Sequence, residues 1–268
     1  MDRRTAGPDE PEAQGPDPGR APAPAVRLSG LTKRFGDHVA VDAIDLTVPR
    51  GMFYGIVGPN GAGKSTTLSM IAGLLAPDSG TVEVAGFDAA RQREQVLDAL
   101  GIMMEGLSLP ERLTGAELLE YTARLRGVGP QWRERAHDLL EVLELDRAPT
   151  TLIVDYSTGM RKKIGLAVAL MHRPRVLVLD EPFEAIDPVS ARAIEGLLGQ
   201  YVAGGGTVLL SSHMMEVVER TCERVALIQG GRILTEGTLA EVRGEGTLNQ
   251  RFLDLVGTAP QRDIAWLG

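Results

Sequence analysis

The segment GPNGAGKST at 58–66 restricts the possible folds of the chain more than any other part of the sequence. It fits the pattern G-x-x-x-x-G-K-[S/T] and stands between the apolar run MFYGIVG at 52–58 and the helical pattern KSTTLSMIAGLL at 64–75. Glycines let backbone amides curl around a polyphosphate, and a helix start points further amides at the same anion. The segment predicts a strand, a phosphate-binding loop and a helix.

The residues of this loop have distinct expected roles. Lys64 is expected to bring a positive charge to the β- and γ-phosphates of a nucleoside triphosphate, and the Ser65 hydroxyl can ligate Mg²⁺. The other residues expected to contact the nucleotide are Gly58, Pro59, Asn60, Gly61, Ala62, Gly63 and Thr66.

A metal-bound triphosphate also needs a carboxylate for the metal and a group that handles the attacking water. The segment VLVLDEP at 176–182 offers both at the carboxyl end of a predicted buried strand, where α/β sheets place their ligands. Asp180 would hold Mg²⁺ through water, and Glu181 would polarise the nucleophile. Adjacent carboxylates at a strand end can also be solvated turn residues, but the phosphate loop favours the functional interpretation.

A second potential anion site lies at YSTGMRKK, 156–163, ahead of the apolar helical pattern IGLAVALM. Ser157 is a good N-cap, Gly159 permits close approach of a backbone, and free amides point outward from the helix start. Taken alone, the segment is more typical of a plain helix cap than of an anion site.

Strands alternate with helices over much of the chain, which predicts a parallel sheet. The expected elements after 170 are a strand at 175–180, a helix at 188–202, the strand TVLLSS, a helix near 214–222 and the hairpin RVALIQGGRILTEG. An all-helical insertion is predicted over about 108–170, where Thr114 and Glu117 have capping-box spacing. Residues 1–25 hold six prolines and three glycines and are predicted to be a disordered tail.

Composition excludes several classes of protein. The net charge of −8 disfavours non-specific nucleic-acid binding, so no nucleic-acid partner is expected. The single cysteine, Cys222, rules out an internal disulfide. No apolar run approaches the ~18 residues needed to span a bilayer, and MDRRTAGPDE lacks the apolar core of a signal peptide, which predicts a cytoplasmic protein.

The phosphate loop, LVLDEP and YSTGM together resemble the ATP-binding subunits of ABC transporters over about 26–240. The family's signature motif, usually LSGGQ, ends about twenty residues before the strand-end aspartate, as Met160 does here. The resemblance implies a P-loop NTPase with a mostly parallel core sheet, an N-terminal antiparallel β part and a helical subdomain at about 108–170. Residues 241–268 would be a short C-terminal extension, with a helix around LNQRFLDLV.

The resemblance also assigns the second anion site. In this family two ATPase domains pack head to tail, and each signature segment contacts the ATP that is held by the other subunit. The segment here comprises Ser157, Thr158, Gly159 and Met160; the second and fourth depart from the usual side chains while keeping the backbone amides.

Further positions match the family one by one. Phe35 stands where the family stacks an aromatic ring on adenine, although an isolated strand-end phenylalanine is more often part of a core. Asp187 matches the aspartate of a loop at the dimer interface, and His213 matches a histidine that hydrogen-bonds the γ-phosphate. Glu105 replaces the glutamine that usually touches Mg²⁺ and the attacking water; the alternative is that it faces solvent.

The resemblance implies an ATPase subunit of an ABC exporter that uses ATP and Mg²⁺, dimerises with a second ATPase subunit and drives membrane-embedded permease chains from the cytoplasmic face of the membrane. Two alternatives are a soluble ABC-type ATPase that acts on ribosomes or DNA, and a regulatory ATP-binding module without turnover. A GTPase is disfavoured because the sequence lacks an N-K-x-D motif for guanine.

Overall fold

A computed structural model of the chain describes residues 23–106 and 108–257, which contain two β-sheets with helices packed around them. The strands are β1 Val26–Phe35, β2 His38–Val48, β3 Phe53–Val57, β4 Ser79–Val84, β5 Phe87–Asp88, β6 Leu100–Met103, β7 Val176–Asp180, β8 Thr207–Ser212, β9 Arg224–Gln229 and β10 Arg232–Thr238. The helices are α1 Lys64–Ile71, α2 Arg93–Ala99, α3 Gly115–Leu125, α4 Trp132–Val142, α5 Thr158–Leu170, α6 Pro188–Ala203, α7 Met215–Thr221, α8 Leu239–Arg243 and α9 Leu248–Val256, with a short 3₁₀-helix at Ile153–Asp155.

The central sheet has the strand order β10-β9-β3-β8-β7-β6. Its strands from β9 to β6 run parallel, and β10 joins β9 as the predicted antiparallel hairpin. Every residue of β3, β7 and β8 is buried, as expected for parallel strands that are covered on both faces. The predicted mostly parallel core is therefore confirmed.

The second sheet is antiparallel, in the order β2-β1-β4-β5. Side chains alternate between buried and exposed over Ile44–Val48 of β2, which is the pattern of a sheet with one face on a core. Ala25, placed in the predicted tail, is also buried, and its amide donates to the carbonyl of Val48 at 2.8 Å. Residues 1–22 of that tail lie outside the described residues.

The segment between β6 and β7 is helical, as predicted. The capping box forms at the start of α3: the amide of Glu117 donates to Thr114 Oγ1 at 3.3 Å, and the amide of Thr114 donates to Glu117 Oε2 at 2.8 Å. Helices α3, α4 and α5 pack on one another around buried residues such as Leu119, Leu143 and Ile164.

Several elements differ from the sequence-based expectation. Helix α1 ends at Ile71 rather than near 75, because Gly73 adopts the left-handed conformation (φ +66°) that commonly ends helices. Strands β5 and β6 and helices α2 and α8 were not predicted. Helix α9 covers the predicted C-terminal helix, and the extension beyond 257 lies outside the described residues. No helix in the described parts of the chain is long and apolar enough to cross a membrane.

Candidate nucleotide site

The candidate site lies at the carboxyl edge of the central sheet. Strands β3, β8 and β7 are neighbours, with Val57 beside Ser212 and Asp180 beside Ser211. Since the strands are parallel, the segments that follow them leave the sheet at the same edge. This arrangement brings together three segments that are far apart in sequence: the loop 58–66, the pair Asp180–Glu181, and His213.

Two glycines let the loop fit between the two sheets. A Cβ on Gly58 would lie 2.1 Å from the carbonyl oxygen of Ile228 in β9, and one on Gly63 would lie 2.4 Å from that of Ala40 in β2. Gly63 also has φ +103°, which is accessible to glycine but not to other residues without strain. The loop is therefore held from both sides by backbone.

Lys64 is the buried cation of the loop, with 5% of the residue exposed. Its Nζ donates to the carbonyl oxygens of Gly58 at 2.8 Å and Pro59 at 3.2 Å, and lies 3.4 Å from Glu181 Oε1. A buried ammonium group needs such partners, since burial without them is costly. The same ammonium group can serve a phosphate that enters the cleft.

Ser65 and Asp180 form a cluster of oxygen atoms beside the loop. The hydroxyls of Ser65 and Ser211 both donate to Asp180 Oδ1, at 3.1 and 2.5 Å. Carboxylate and hydroxyl oxygens suit Mg²⁺, which usually takes few protein ligands and completes its shell with phosphate oxygens and water. Residues 23–106 and 108–257 contain no group of three or more His, Cys, Asp or Glu arranged to hold a metal.

Glu181 is buried and is held from several directions. Its amide donates to Ser211 Oγ at 3.0 Å, and its Oε2 accepts from the amide of His213 at 3.3 Å. Nδ1 of the His213 ring lies 3.0 Å from the same oxygen, without the alignment of a hydrogen bond. Glu181 has φ +47°, an uncommon conformation for a residue with a side chain. The carboxylate thus lies between the cation of the loop and His213.

Lys64, Ser65, Glu181 and His213 border an open cleft of about 460 Å³, whereas Asp180 is not among the residues that line it. Phe35 stands at its rim with 51% of the residue exposed, so it is not a core residue, and the Nζ of Lys33 lies 5.7 Å from the ring centroid. The lining residues are Phe35, His38, Ala40, Asn60, Gly61, Ala62, Gly63, Lys64, Ser65, Thr66, Glu105, Glu181, Glu184 and His213.

Glu105 follows β6, the strand beside β7, and so reaches the same edge of the sheet. It is exposed and lines both the nucleotide cleft and a neighbouring cavity of about 470 Å³. Thr158 and Lys162 of α5 line that second cavity. Glu105 is therefore exposed to solvent at the border of the cleft, and its contact with Mg²⁺ stays a prediction.

The signature segment lies apart from the cleft. Ser157 caps α5 by accepting from the amide of Met160 at 3.2 Å, and a Cβ on Gly159 would lie 3.7 Å from the carbonyl of Ala185. Asp187 caps α6, and hydrogen bonds from Ser190 lower the pKa of its carboxyl group. None of the residues that line the cleft comes from 157–160 or is Asp187.

Sequence reasoning missed four residues of the site: His38, Ala40, Glu184 and Ser211. The first two come from the antiparallel sheet and carry no local motif. Ser211 had a weak signal, because two serines end the otherwise apolar strand TVLLSS. Glu184 lies two positions after DEP, and nothing in the sequence showed that it turns toward the cleft.

Comparison with known proteins agrees with this geometry. The family described as ABC transporter matches residues 41–184. The daunorubicin/doxorubicin resistance ATP-binding protein of Streptomyces peucetius is 38% identical over 237 residues, which cover 87% of this chain and 72% of the relative. The bacitracin transport ATP-binding protein of Enterococcus faecalis is 33% identical, over 81% of this chain and 70% of the relative.

Solved structures show the same fold. The structure of an ATP-binding subunit of an ABC transporter superimposes with a TM-score of 0.81 at 27% identity, covering 86% of this chain and 99% of that one. A dimeric ATP-binding cassette in a post-hydrolysis state, bound to ADP and Pi, gives a TM-score of 0.73 at 26% identity, covering 80% and 98%. The fold, the cleft and the sequence matches lead to one conclusion: the chain belongs to the ATP-binding subunits of ABC transporters, a family of ATPases.

Proposed function

We propose that this chain binds and hydrolyses Mg²⁺–ATP and powers export through separate permease chains, on the cytoplasmic face of a membrane. The observation that carries the proposal is the convergence, at one sheet edge, of a buried cation, a hydroxyl–carboxylate pair and a second buried carboxylate. These are Lys64, Ser65 with Asp180, and Glu181. Electrostatic stabilisation and positioning, which dominate phosphoryl transfer, need such groups fixed in advance.

The contacts suggest how the residues divide the work. Lys64 is shared between backbone carbonyls and Glu181, so a triphosphate that takes up the ammonium group would release the carboxylate of Glu181. The free carboxylate can then accept a proton from the attacking water, while the amide of His213 keeps it in place. When bound, Mg²⁺ would neutralise phosphate charge, held by Ser65 and Asp180.

The remaining site residues fit roles around the nucleotide. Exposed Phe35 offers a face for the adenine ring, and the loop residues 58–66 offer backbone amides to the phosphates. Ser157–Met160 and Asp187, which lie outside the cleft of their own chain, are available to a second subunit. The dimeric cassette with ADP and Pi supports this arrangement.

Export through a separate permease is supported by the relatives. Besides the two named above, the Nod factor export ATP-binding protein I of Ralstonia nicotianae is 35% identical over 84% of this chain and 70% of its own length. These relatives are described as ATP-binding proteins of resistance, transport or export. We propose the same role for this chain, with export itself carried out by separate permease chains.

The Lys64→Ala variant tests the proposed activity. It removes the ammonium group that would serve the phosphates, so steady-state ATP hydrolysis should fall by about 100-fold or more. The control is Arg124→Ala, which removes a cation from an exposed ion pair with Glu120 on α3. Full hydrolysis by a folded Lys64→Ala protein would contradict the proposed function.

A further inference from the structure

We propose that Lys162 is a positioning residue, which ties the start of α5 to the backbone of Glu181 and thereby keeps the carboxylate of Glu181 in its working place. The inference rests on the proposed function, because it concerns the hydrolysis of ATP. It assigns a role to a lysine that lies outside the nucleotide cleft.

Two contacts link Lys162 to the segment after β7. Its Nζ donates to the carbonyl oxygen of Glu181 at 2.8 Å and lies 3.5 Å from Glu184 Oε2. The side chain is 16% exposed, so the ammonium group is partly shielded from water. A charge-assisted hydrogen bond of this length is stronger than a neutral one. Both of its partners are residues that line the cleft.

The backbone of Glu181 needs to be held. Its φ of +47° is unfavourable for a residue with a Cβ and persists only where the surroundings enforce it. Ser211 accepts from its amide, and Lys64 and His213 hold its side chain. Its carbonyl oxygen accepts from Lys162 at 2.8 Å and from the amide of Glu184 at 3.2 Å, and Lys162 supplies the one side-chain hydrogen bond of the two. Without Lys162, the carbonyl oxygen of Glu181 would lose its hydrogen bond from a side chain.

The anchor comes from the helix that begins with the signature segment. Lys162 lies four residues after Thr158, on the same face of α5, and both line the second cavity. At the helix start, Gly159 faces the carbonyl group of Ala185. A Cβ added to Gly159 would lie 3.7 Å from that carbonyl oxygen. The first turns of α5 therefore lie beside the segment 181–185, and the hydrogen bond from Lys162 joins the two.

The substitution Lys162→Met keeps the length of the side chain but removes the donor, whereas Lys162→Arg keeps a donor. The control is Arg126→Met, since Arg126 is another partly buried cation that donates to a backbone carbonyl, that of Leu97 at 3.0 Å, away from the cleft. A general loss of stability should appear in both Met variants, and a positional effect only in Lys162→Met.

The first measurement is amide hydrogen exchange in the nucleotide-free protein. In Lys162→Met, the segment 181–187 should exchange several-fold faster than in the wild type, while Lys162→Arg and Arg126→Met leave its exchange unchanged. This measurement does not depend on any activity. Unchanged exchange of 181–187 in Lys162→Met would overturn the proposed tie.

The second measurement separates kcat from KM for ATP. Misplacement of a catalytic group mainly lowers turnover, so Lys162→Met should lose about tenfold in kcat with KM within twofold, and Lys162→Arg should recover most of the loss. A kcat that is unchanged, or equally reduced in Arg126→Met, would overturn the positioning role. If the wild type hydrolyses no ATP, the proposed function fails, and hydrogen exchange still decides whether Lys162 holds the segment.

Discussion

At the scale of single residues, Glu105 introduces a charge at the border of the nucleotide cleft and the second cavity. A carboxylate there can ligate Mg²⁺ more strongly than an amide can, yet it repels the phosphates. The repulsion is about 3 kcal/mol for two unit charges at ~5 Å and an effective dielectric constant of ~20. Attraction to the doubly charged metal exceeds this if the metal is nearer than the phosphate, so the residue should act mainly through the metal.

The Glu105→Gln variant tests this balance. The Mg²⁺ concentration for half-maximal hydrolysis should rise severalfold, while ATP affinity changes little. The control is Glu111→Gln, because Glu111 lines the second cavity but is not among the residues that line the nucleotide cleft. Superimposable Mg²⁺ titrations of the wild type and Glu105→Gln would show that Glu105 does not meet the metal.

Local motifs made some site residues predictable and left others out. Four site residues belong to short motifs in which a few consecutive residues are enough to predict the chemistry. They are Lys64, Ser65, Asp180 and Glu181, and the structure brings them together. The position of Glu184 depends on how one turn is oriented, and that of Ser211 depends on the register in which β8 pairs with β7. These positions depend on how the elements pack against one another, so they cannot be predicted from a single sequence.

At the scale of elements, most helices and strands were predicted, and those that were missed are short. Helix α2 has seven residues and β6 has four, too few for a hydrophobic period to stand out. Strand β6 nevertheless decides where Glu105 lies, because it pairs in parallel with β7. The position of Glu105 could therefore be inferred only from the family resemblance.

The end of α5 is joined to this unpredicted strand through His172. Its Nε2 lies 2.9 Å from the carbonyl oxygen of Leu100, in hydrogen-bonding geometry. Burial lowers the pKa of His172, and the nearby guanidinium of Arg126 lowers it further. The folded chain therefore binds a proton at this site less readily than the unfolded chain does.

Because the unfolded state binds more protons at His172, the free energy of unfolding should fall as the pH drops through the ordinary histidine pKa of about 6.5. Urea unfolding at pH 7.5 and 5.5 measures this fall. It should be smaller in His172→Gln than in the wild type, whereas His137→Gln, at an exposed histidine of α4, should match the wild type. Equal falls in all three proteins would show that His172 does not contribute.

At the scale of the whole molecule, the chain has two helix starts for which we propose anion binding, and they do not meet. Helix α1 begins in the nucleotide cleft, and α5 begins outside it. This separation is understandable if two copies complete each other's sites, as the dimeric relative suggests. The assembly, rather than the single chain, would then be the unit that hydrolyses ATP.

The Glu181→Gln variant tests this arrangement, because it keeps the shape of the site but removes the proposed base, and ATP should hold two chains together. Adding Ser157→Arg places bulk and charge where the opposing phosphate must approach. Light scattering with ATP should give a dimer for Glu181→Gln and a monomer for the double variant, with nucleotide bound in both.

The matched control adds Thr247→Arg to Glu181→Gln instead. Thr247 caps α9 as Ser157 caps α5, accepting from the amide of Gln250 at 3.1 Å, so the same change is made at a helix start without a proposed role. This protein should still dimerise. An ATP-dependent dimer of the Ser157→Arg double variant would refute the composite site, and a monomeric Glu181→Gln protein would refute self-association of this chain by ATP alone.

The backbone carbonyls that lie close to the nucleotide loop also limit which substitutions its positions can tolerate. At positions 58 and 63 an added methyl group would meet main-chain oxygens of two different strands, which no side-chain movement can relieve. Position 61 has open space around it, and only its φ of +78° favours glycine. In a library randomised over 58–66 and selected for function, we expect glycine alone to survive at 58 and 63. Asparagine, which tolerates such a φ, should also be accepted at 61.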